Sequence, residues 1–299
     1  MSRRPQRDWF GLAAFDPGPW RRDGARFYLL EEVGSTSDFL LGRGAPAEGR
    51  LCRWDGWGWL AGERSKLAPP RHPRPTACAV ARVQRAGRGR QGRRWRTAGL
   101  ALSWLVAPLP AARAAPLAVW TGLMAAEALA ELTGLPLRVK WPNDLLLAER
   151  KVGGVLLDRT VTGADVRLVA GLGLNIDRLP DDLPDADRAR AAALPAAALG
   201  EPPLAVAAGA ILRRWDAELP RFLAKGWAPF RARWRARDAL AGHAVVVHTG
   251  EGELSGTADG IDDGGALRLR LPDGRRRTLC AGDVHLGGTP VSGATGRNR

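Results

Sequence analysis

Lysine is scarce in this chain: only Lys66, Lys140, Lys151 and Lys225 stand among its 45 basic residues, and the rest are arginine. Cysteine is scarcer. Cys52, Cys78 and Cys280 are widely spaced and form no C-x-x-C pair, which speaks against a disulfide framework or a cysteine zinc site and fits a reducing cytoplasm. His72, His243, His248 and His285 show no metal-ligand spacing either. No signal-peptide pattern and no long uncharged apolar span is visible, so neither export nor membrane insertion is expected. No repeat recurs along the chain, and no Ser/His/Asp or Cys/His constellation suggests a protein nucleophile.

What is abundant is arginine, giving a formal charge of +14 over 299 residues. Such a charge ordinarily raises nucleic acid or an anionic membrane as partner. Alanine, glycine and proline are plentiful too, the profile a GC-rich coding bias produces, so the charge reads as background that aids solubility and anion affinity. The few lysines then gain interest, because Lys140 and Lys151 fall within one short stretch and a compact ammonium is not equivalent to a guanidinium.

The chain is organised around Arg82 to Trp95, where Gly87, Gly89 and Gly92 fit a G-x-G-x-x-G spacing after the apolar run Cys78 to Val83. A dinucleotide fingerprint should open a helix and meet an acidic residue about twenty positions later. Here the continuation Leu100 to Val106 reads as another strand, and Pro108 to Arg113 contains no acid. No lysine follows the glycines as in a nucleotide-phosphate loop. What remains is either a solvated basic turn or a flexible loop whose Arg88 and Arg90 close over an anion.

Around this loop the pattern predicts a chain of mixed class. Met1 to Arg26, with Trp9, Phe10 and Trp20, reads as an irregular arm laid on the surface, too short for a helix-turn-helix domain. Phe27 to Val33 is a strand, and Gly34-Ser-Thr-Ser37 can cap a helix starting near Asp38. Gly42 to Pro75 is irregular. Its tryptophans could stack on bases, but a hairpin whose indoles cover a neighbouring core is preferred. Leu100 to Val106 is followed by a helix over Ala114 to Leu132, with Leu117, Trp120, Leu123, Met124 and Leu129 at helical spacing. Leu137 to Lys140 is a strand ending in Trp141-Pro-Asn-Asp144, then come a hairpin of Leu145 to Leu147 with Lys151 to Leu157, and a strand over Val166 to Leu172. Helices are expected at Leu204 to Leu223 and Trp227 to Arg237. From Ala239 the short strands with glycine turns predict a small β-barrel, and the tail beyond Gly287 is expected to be disordered.

Taken in order, Ser35-Thr36-Ser37, Gln84 to Trp95, Lys140 to Asp144, Lys151-Val-Gly-Gly-Val155 and Gly171-Leu-Gly-Leu-Asn175 resemble the motifs of biotin-protein ligases. The likeness runs from Phe27 to about Leu286, interrupted by the Gly42 to Pro75 segment. It implies an α+β fold: a mixed β-sheet catalytic domain flanked by helices (27–238, with an insertion at 42–75) and an SH3-like β-barrel (239–287), before a tail over 288–299. It also implies ATP and Mg2+ as cofactors, biotinyl-AMP as intermediate, and a lysine of a biotin carboxyl carrier protein domain as acceptor. Monomer or homodimer is expected, with no specific nucleic acid and no membrane.

By the same resemblance, Ser35, Thr36, Ser37 and Gln84 meet the ureido ring, and Arg88, Gly89 and Arg90 close over the carboxylate and acyl-phosphate. Lys151 meets the biotin carboxylate and α-phosphate, and with Arg90 and Lys140 it is expected to be catalytic. Gly87, Arg93, Trp95, Asn143, Asp144 and Asn175 are assigned to ATP, Asp144 also to the metal. The bland alternatives are a helix cap at Ser35-Thr36-Ser37, a hairpin turn at Trp141 to Asp144 and a core aromatic at Trp95.

Several departures stand out. Ser37 replaces the family's usual asparagine, the link from Ser37 to Gln84 is about two dozen residues longer than usual, and Ala98 to Ser103 lacks the Asn-Leu wording often seen. A lipoyl or octanoyl transferase of the same fold is the nearest alternative. Gln84 and the Lys140 to Asp144 stretch argue against it, and Cys78 lies in a strand rather than a site. A non-catalytic biotin binder, a DNA-binding repressor and a general nucleic-acid binder complete the alternatives.

Overall fold

Alternating apolar residues on β-strands bury both faces of a sheet when helices cover one side and a short helix the other. The computed structural model describes residues 9–16, 26–43, 45–54, 59–63, 65–67, 77–106, 109, 114–162 and 165–287. Its main sheet has ten strands: β1 (Arg26–Val33), β2 (Ala47–Trp54), β3 (Trp59–Ala61), β4 (Ser65–Leu67), β5 (Ala77–Gln84), β6 (Gly99–Val106), β7 (Arg138–Lys140), β8 (Asp144–Leu147), β9 (Arg150–Thr162) and β10 (Asp165–Asn175). Their order is β3-β2-β1-β5-β6-β10-β9-β8-β7, with β4 on β2. β1 and β5 run parallel, whereas β5, β6, β10 and β9 pair antiparallel, so the sheet is mixed.

One face carries the larger core. Leu100, Leu102, Trp104, Leu172 and Val155 pack there against α2 (Leu117–Thr133) and α5 (Pro203–Lys225). The five apolar residues expected to face the core from α2 are all buried, and Trp104 stacks on Trp215 with ring centroids 5.1 Å apart. The other face carries α1 (Thr36–Leu41), whose Phe39 and Leu40 pack on Tyr28, Leu30, Ala79, Ala81 and Val169. Ser35 caps α1 from an extended conformation, and Gly42 ends it in the left-handed region at φ 79°.

Three expectations need correction. Phe10 and Phe15 are buried, Phe10 meeting Phe15 edge-on at 5.2 Å and Phe15 stacking on Phe27 at 4.4 Å, so this part of the N-terminal segment fills the core instead of lying on the surface. The described part of the segment after Gly42 holds three strands: β2 pairs with β1, and β2 with β3 forms the preferred hairpin. The indoles of Trp54, Trp57 and Trp59, Trp20, the proline run and the tail beyond Gly287 lie outside the described residues. The helix expected over Trp227 to Arg237 is divided into a 3-10 turn (Ala228–Phe230), with Pro229 in its first turn, and α6 (Arg231–Arg237). Two single-turn helices, α3 (Asp185–Arg188) and α4 (Ala196–Leu199), are too short to leave a periodic signal.

The C-terminal strands β11 (Ala244–Thr249), β12 (Gly252–Ile261), β13 (Leu267–Arg270), β14 (Arg276–Leu279) and β15 (Asp283–Leu286) form a second sheet in the order β14-β13-β12-β11-β15. Its Val245, Val247 and Leu267 share one hydrophobic cluster with the main core. Asp238 stands at the junction: its carboxylate accepts from Trp234 Nε1 at 3.1 Å and the Leu240 amide at 2.9 Å, and burial pushes its pKa up. Asp238→Ala removes both acceptors from buried donors. We expect a loss of about 2 kcal/mol of unfolding free energy, read as a lower urea midpoint at unchanged slope.

Candidate active site

The pleat of the main sheet lines up a trough of small residues. Across one row, Ala79 of β5 faces Ser103 of β6, Ser103 faces Gly171 of β10, and Gly171 faces Leu156 of β9. The next row runs Ala81, Ala101, Gly173, Gly154, Asp144 and Lys140. Four small residues therefore lead to a carboxylate and an ammonium. The glycines are required by what lies on them: a Cβ on Gly171 would come within 2.7 Å of Ser37 Oγ, and one on Gly173 within 2.6 Å of Trp95 Cζ2. A narrow cavity over these rows is lined by Ser35, Thr36, Ser37, Gln84, Arg88 and Trp95 among others.

At the closed end of the trough the polar groups form a directed chain. The Thr36 amide donates to Gln84 Oε1 at 2.8 Å and the Thr36 hydroxyl donates to the same oxygen at 3.0 Å. Because Thr36 has spent its proton, its 2.7 Å bond to Ser103 Oγ must be donated by Ser103, and the 3.0 Å bond between Ser37 and Ser103 must then be donated by Ser37. Gln84 Nε2 donates to Thr97 Oγ1 at 3.3 Å, which fixes the amide orientation. Ser35 Oγ accepts from the Asp38 amide and keeps its own proton to give.

The glycine loop crosses the open end. Arg88 is gripped by Asp38 of α1, at 3.0 and 2.8 Å, and by Asp158 of β9, so its guanidinium is already paired with carboxylates. Arg90 and Arg93 point to the C-terminal sheet. Arg90 Nη1 donates to the Gly282 carbonyl at 3.2 Å, and Arg93 pairs with Asp283. Gly89 and Arg93 close the turn between them through a 2.7 Å backbone bond, and Gly87 leaves room for the Trp95 carbonyl.

Lys151 meets Asp144 at 2.6 Å and lies 5.9 Å from the centre of the Trp95 ring. Lys140 is held below its ordinary 10.5 chiefly by burial, with Asp144 opposing the shift and Lys151 adding to it. Burial likewise lowers Arg90. Asn143 and Asn175 are differently employed. Asn143 Nδ2 donates to the Val155 carbonyl at 2.6 Å, and buried Asn175 donates to the Ala192 carbonyl at 3.1 Å, so both side-chain amides brace backbone.

Sequence reasoning passed over Ser103, Thr97, Asp38, Asp158 and Asp283. Ser103 had one available signal, since the alternation of Leu100, Leu102 and Trp104 puts it on the face opposite the main core.

Residues 68–175 match the biotin/lipoate A/B protein ligase family, and residues 241–287 match the biotin protein ligase C-terminal domain. A biotin--[acetyl-CoA-carboxylase] ligase from Paracoccus denitrificans is 38% identical over 243 residues, covering 76% of this chain and 96% of the relative. The bifunctional ligase/repressor BirA of Escherichia coli (strain K12) is 35% identical over 273 residues, 88% of this chain and 75% of that protein. In fold, the chain is similar to a biotin protein ligase from Aquifex aeolicus in complex with biotin and ATP, with a TM-score of 0.65 at 24% identity over 87% of this chain and 99% of that one. The chain belongs to the biotin protein ligase family.

The directed chain makes a prediction independent of any ligand. Ser103→Ala removes the acceptor of the buried Ser37 hydroxyl, and we expect a stability loss of about 1–2 kcal/mol in chemical denaturation. Ser103→Thr, which keeps the hydroxyl, should lose less.

Proposed function

We propose that the protein is a biotin-protein ligase: it joins biotin to AMP from ATP, then transfers the biotinyl group to a lysine of a carrier domain of acetyl-CoA carboxylase. The observation that carries this reading is the trough itself, with a hydroxyl and amide chain at its closed end and Arg90, Lys140 and Lys151 towards its open end. The ureido ring has two N–H donors and one carbonyl acceptor. Ser35 has a proton for the carbonyl, while Thr36 and Ser37 retain lone pairs for the N–H groups. The fused ring is proposed to lie over the small residues of the trough.

With the ring held there, the valeryl carboxylate extends toward Lys151 and Arg90. A carboxylate oxygen attacks the α-phosphorus of ATP, the bond to pyrophosphate breaks, and the cations stabilise the charge that gathers on phosphate and leaving group. The acceptor lysine, as free amine, then attacks the acyl carbonyl and AMP departs. Catalysis here is juxtaposition and charge stabilisation, so no protein nucleophile is needed. Asp144 fits Mg2+ only as a lone protein carboxylate completed by phosphate oxygens and water, a usual arrangement for this ion; among the described residues no group of three His, Cys, Asp or Glu side chains forms. When bound, the ion neutralises phosphate charge.

Arg93 and Trp95 are proposed to serve the adenylate side, and Gly87 and Gly89 to let the loop approach it. Asn143 and Asn175 act in this reading by holding backbone around the nucleotide. Arg88 steadies the base of the loop rather than meeting the carboxylate. The catalytic unit is assigned to 27–238 and the C-terminal unit to 239–287, and a cytoplasmic monomer or homodimer is the expected form. No helix among the described residues is long and apolar enough to cross a membrane.

A cysteine-dependent acyl transferase is disfavoured, because Cys78 is fully buried in β5 and burial pushes its thiol well above its ordinary value.

Pyrophosphate exchange into ATP, run with biotin, lipoate, octanoate or no acid, tests the reading; exchange with biotin alone is expected, and exchange with another acid alone moves the protein to a sister activity. Lys151→Ala should lower the biotin-dependent exchange by at least about a hundredfold, as expected for loss of a charge contact realised in the transition state, with the thermal midpoint little changed. Normal exchange in that variant would remove Lys151 from the mechanism. Because Lys140 is held low, its charge is lost as pH rises through that depressed value. KM for ATP should therefore climb at alkaline pH below 10.5, and Lys140→Arg should flatten the climb.

A further inference from the structure

The tip of the glycine loop is held by a residue almost two hundred positions away. Its base is fixed twice: Arg88 and Arg94 form a β-bridge, and Arg88 is tied to Asp38 and Asp158. Beyond that base the chain turns tightly. The Arg93 amide donates to the Arg90 carbonyl at 3.1 Å, and Gln91 takes a left-handed conformation at φ 53°. The turn brings the side chains of Arg90 and Arg93 together, and the charge of Arg93 is among the influences that lower Arg90, after burial.

What opposes that repulsion comes from the second sheet. Asp283 pairs with Arg93 and lies 3.9 Å from Arg90 Nη1, while the carbonyl of the preceding Gly282 accepts from Arg90 at 3.2 Å. The sequence builds this position deliberately at the backbone level. Gly282 is buried at φ 157°, where a Cβ would strike Val247 Cγ1 at 2.6 Å, so a glycine is needed to bring the chain into β15 with Asp283 opposite His248. Asp283 and His285 share one face of β15, and both feel the charge of Lys140.

We propose that Asp283 is a positioning residue: it latches the tip of the glycine loop, through Arg90 and Arg93, over the trough and so retains the adenylate formed there. The part about the adenylate rests on the ligase reading above; the latch itself does not. In this arrangement the C-terminal sheet regulates how long the loop stays closed, although it contributes no group to the reacting atoms. Arg90 and Arg93 remain available to a phosphate because Asp283 binds them from the side of the second sheet, and its carboxylate offsets their mutual repulsion before and after the phosphate is present.

The test uses the full-length protein and Asp283→Asn, which keeps the side-chain shape and removes the charge. Trypsin cleavage within Arg88 to Arg94, without ligands, should become roughly five- to tenfold faster, the size expected for losing one partly desolvated charge-assisted contact. Release of biotinyl-AMP, formed from biotin and ATP and followed after dilution into excess unlabelled biotin, should speed up by a similar factor. Asp283→Arg combined with Arg93→Asp should recover protection that Asp283→Arg alone loses. If Asp283→Asn lacks a cooperative unfolding transition, Asp283→Ser probes the same contact and leaves the tryptic sites of the loop unchanged.

Unchanged cleavage overturns the latch. Faster cleavage with unchanged release overturns its role in retaining the adenylate. Failure of the unsubstituted protein to form biotinyl-AMP at all would instead remove the ligase reading, and the trypsin comparison would still decide the latch.

Discussion

Gly171 and Gly173 leave the pocket side of β10 without Cβ atoms at the two points where Ser37 and Trp95 lie on the sheet, and most of the candidate site follows from that close approach. With any side chain at Gly171, Ser37 could not keep its 3.0 Å bond to Ser103, and α1, which carries Ser37, would have to lift. With any side chain at Gly173, Trp95 would be displaced from Lys151. Glycine in a strand interior costs stability through chain entropy and lost packing. Here the loss is offset on the opposite face, where Leu172 and Leu174 are buried against the helices.

The charges obey a similar economy. Arg90, Lys140 and Lys151 converge at the open end of the trough, and burial already depresses the first two. Among the described residues two carboxylates, Asp144 and Asp283, stand with them, whereas Asp38 and Asp158 are occupied at the loop base by Arg88. Cations gathered with too few counter-charges favour an incoming polyanion, and partial desolvation strengthens that attraction over its value in water. Arg88 shows the contrast. A guanidinium already satisfied by two carboxylates has little left to give a ligand.

The order of the motifs was legible because each is local: the hydroxyls of Ser35 to Ser37, the glycines around Arg88, and the Lys-Trp-Pro-Asn-Asp turn each lie within a few residues. So were the strands of the second sheet, spaced by glycine turns. What escaped was contributed across distance. Ser103 completes a chain begun at Thr36, 67 residues earlier, and Asp283 meets Arg93 across 190. No spacing rule links such pairs; only the register of β6 on β10 and the docking of the second sheet bring them together. The N-terminal aromatics were misjudged for a related reason, since prolines and arginines around Phe10 and Phe15 mask an apolar contact whose partner, Phe27, belongs to β1.

The docking of the second sheet also explains how a three-residue turn can hold Lys140 and Asp144 still. Trp141 is buried and donates its Nε1–H to the Gly265 carbonyl at 2.8 Å, so the turn is pinned from the C-terminal side. Asn143 pins it from β9, its amide and its carbonyl both bonding Val155. Gly265, at φ 78°, packs close to Pro116 and Val119 at the start of α2, which fixes the second sheet to the main core. A side chain whose neighbours on both sides are bonded loses little further entropy when a ligand arrives, which is the physical content of preorganisation. The turn and the loop tip therefore depend on the same docked sheet, one through Gly265 and the other through Asp283, and a disturbance of that docking should reach the cation-rich end of the trough before it reaches the hydroxyl chain.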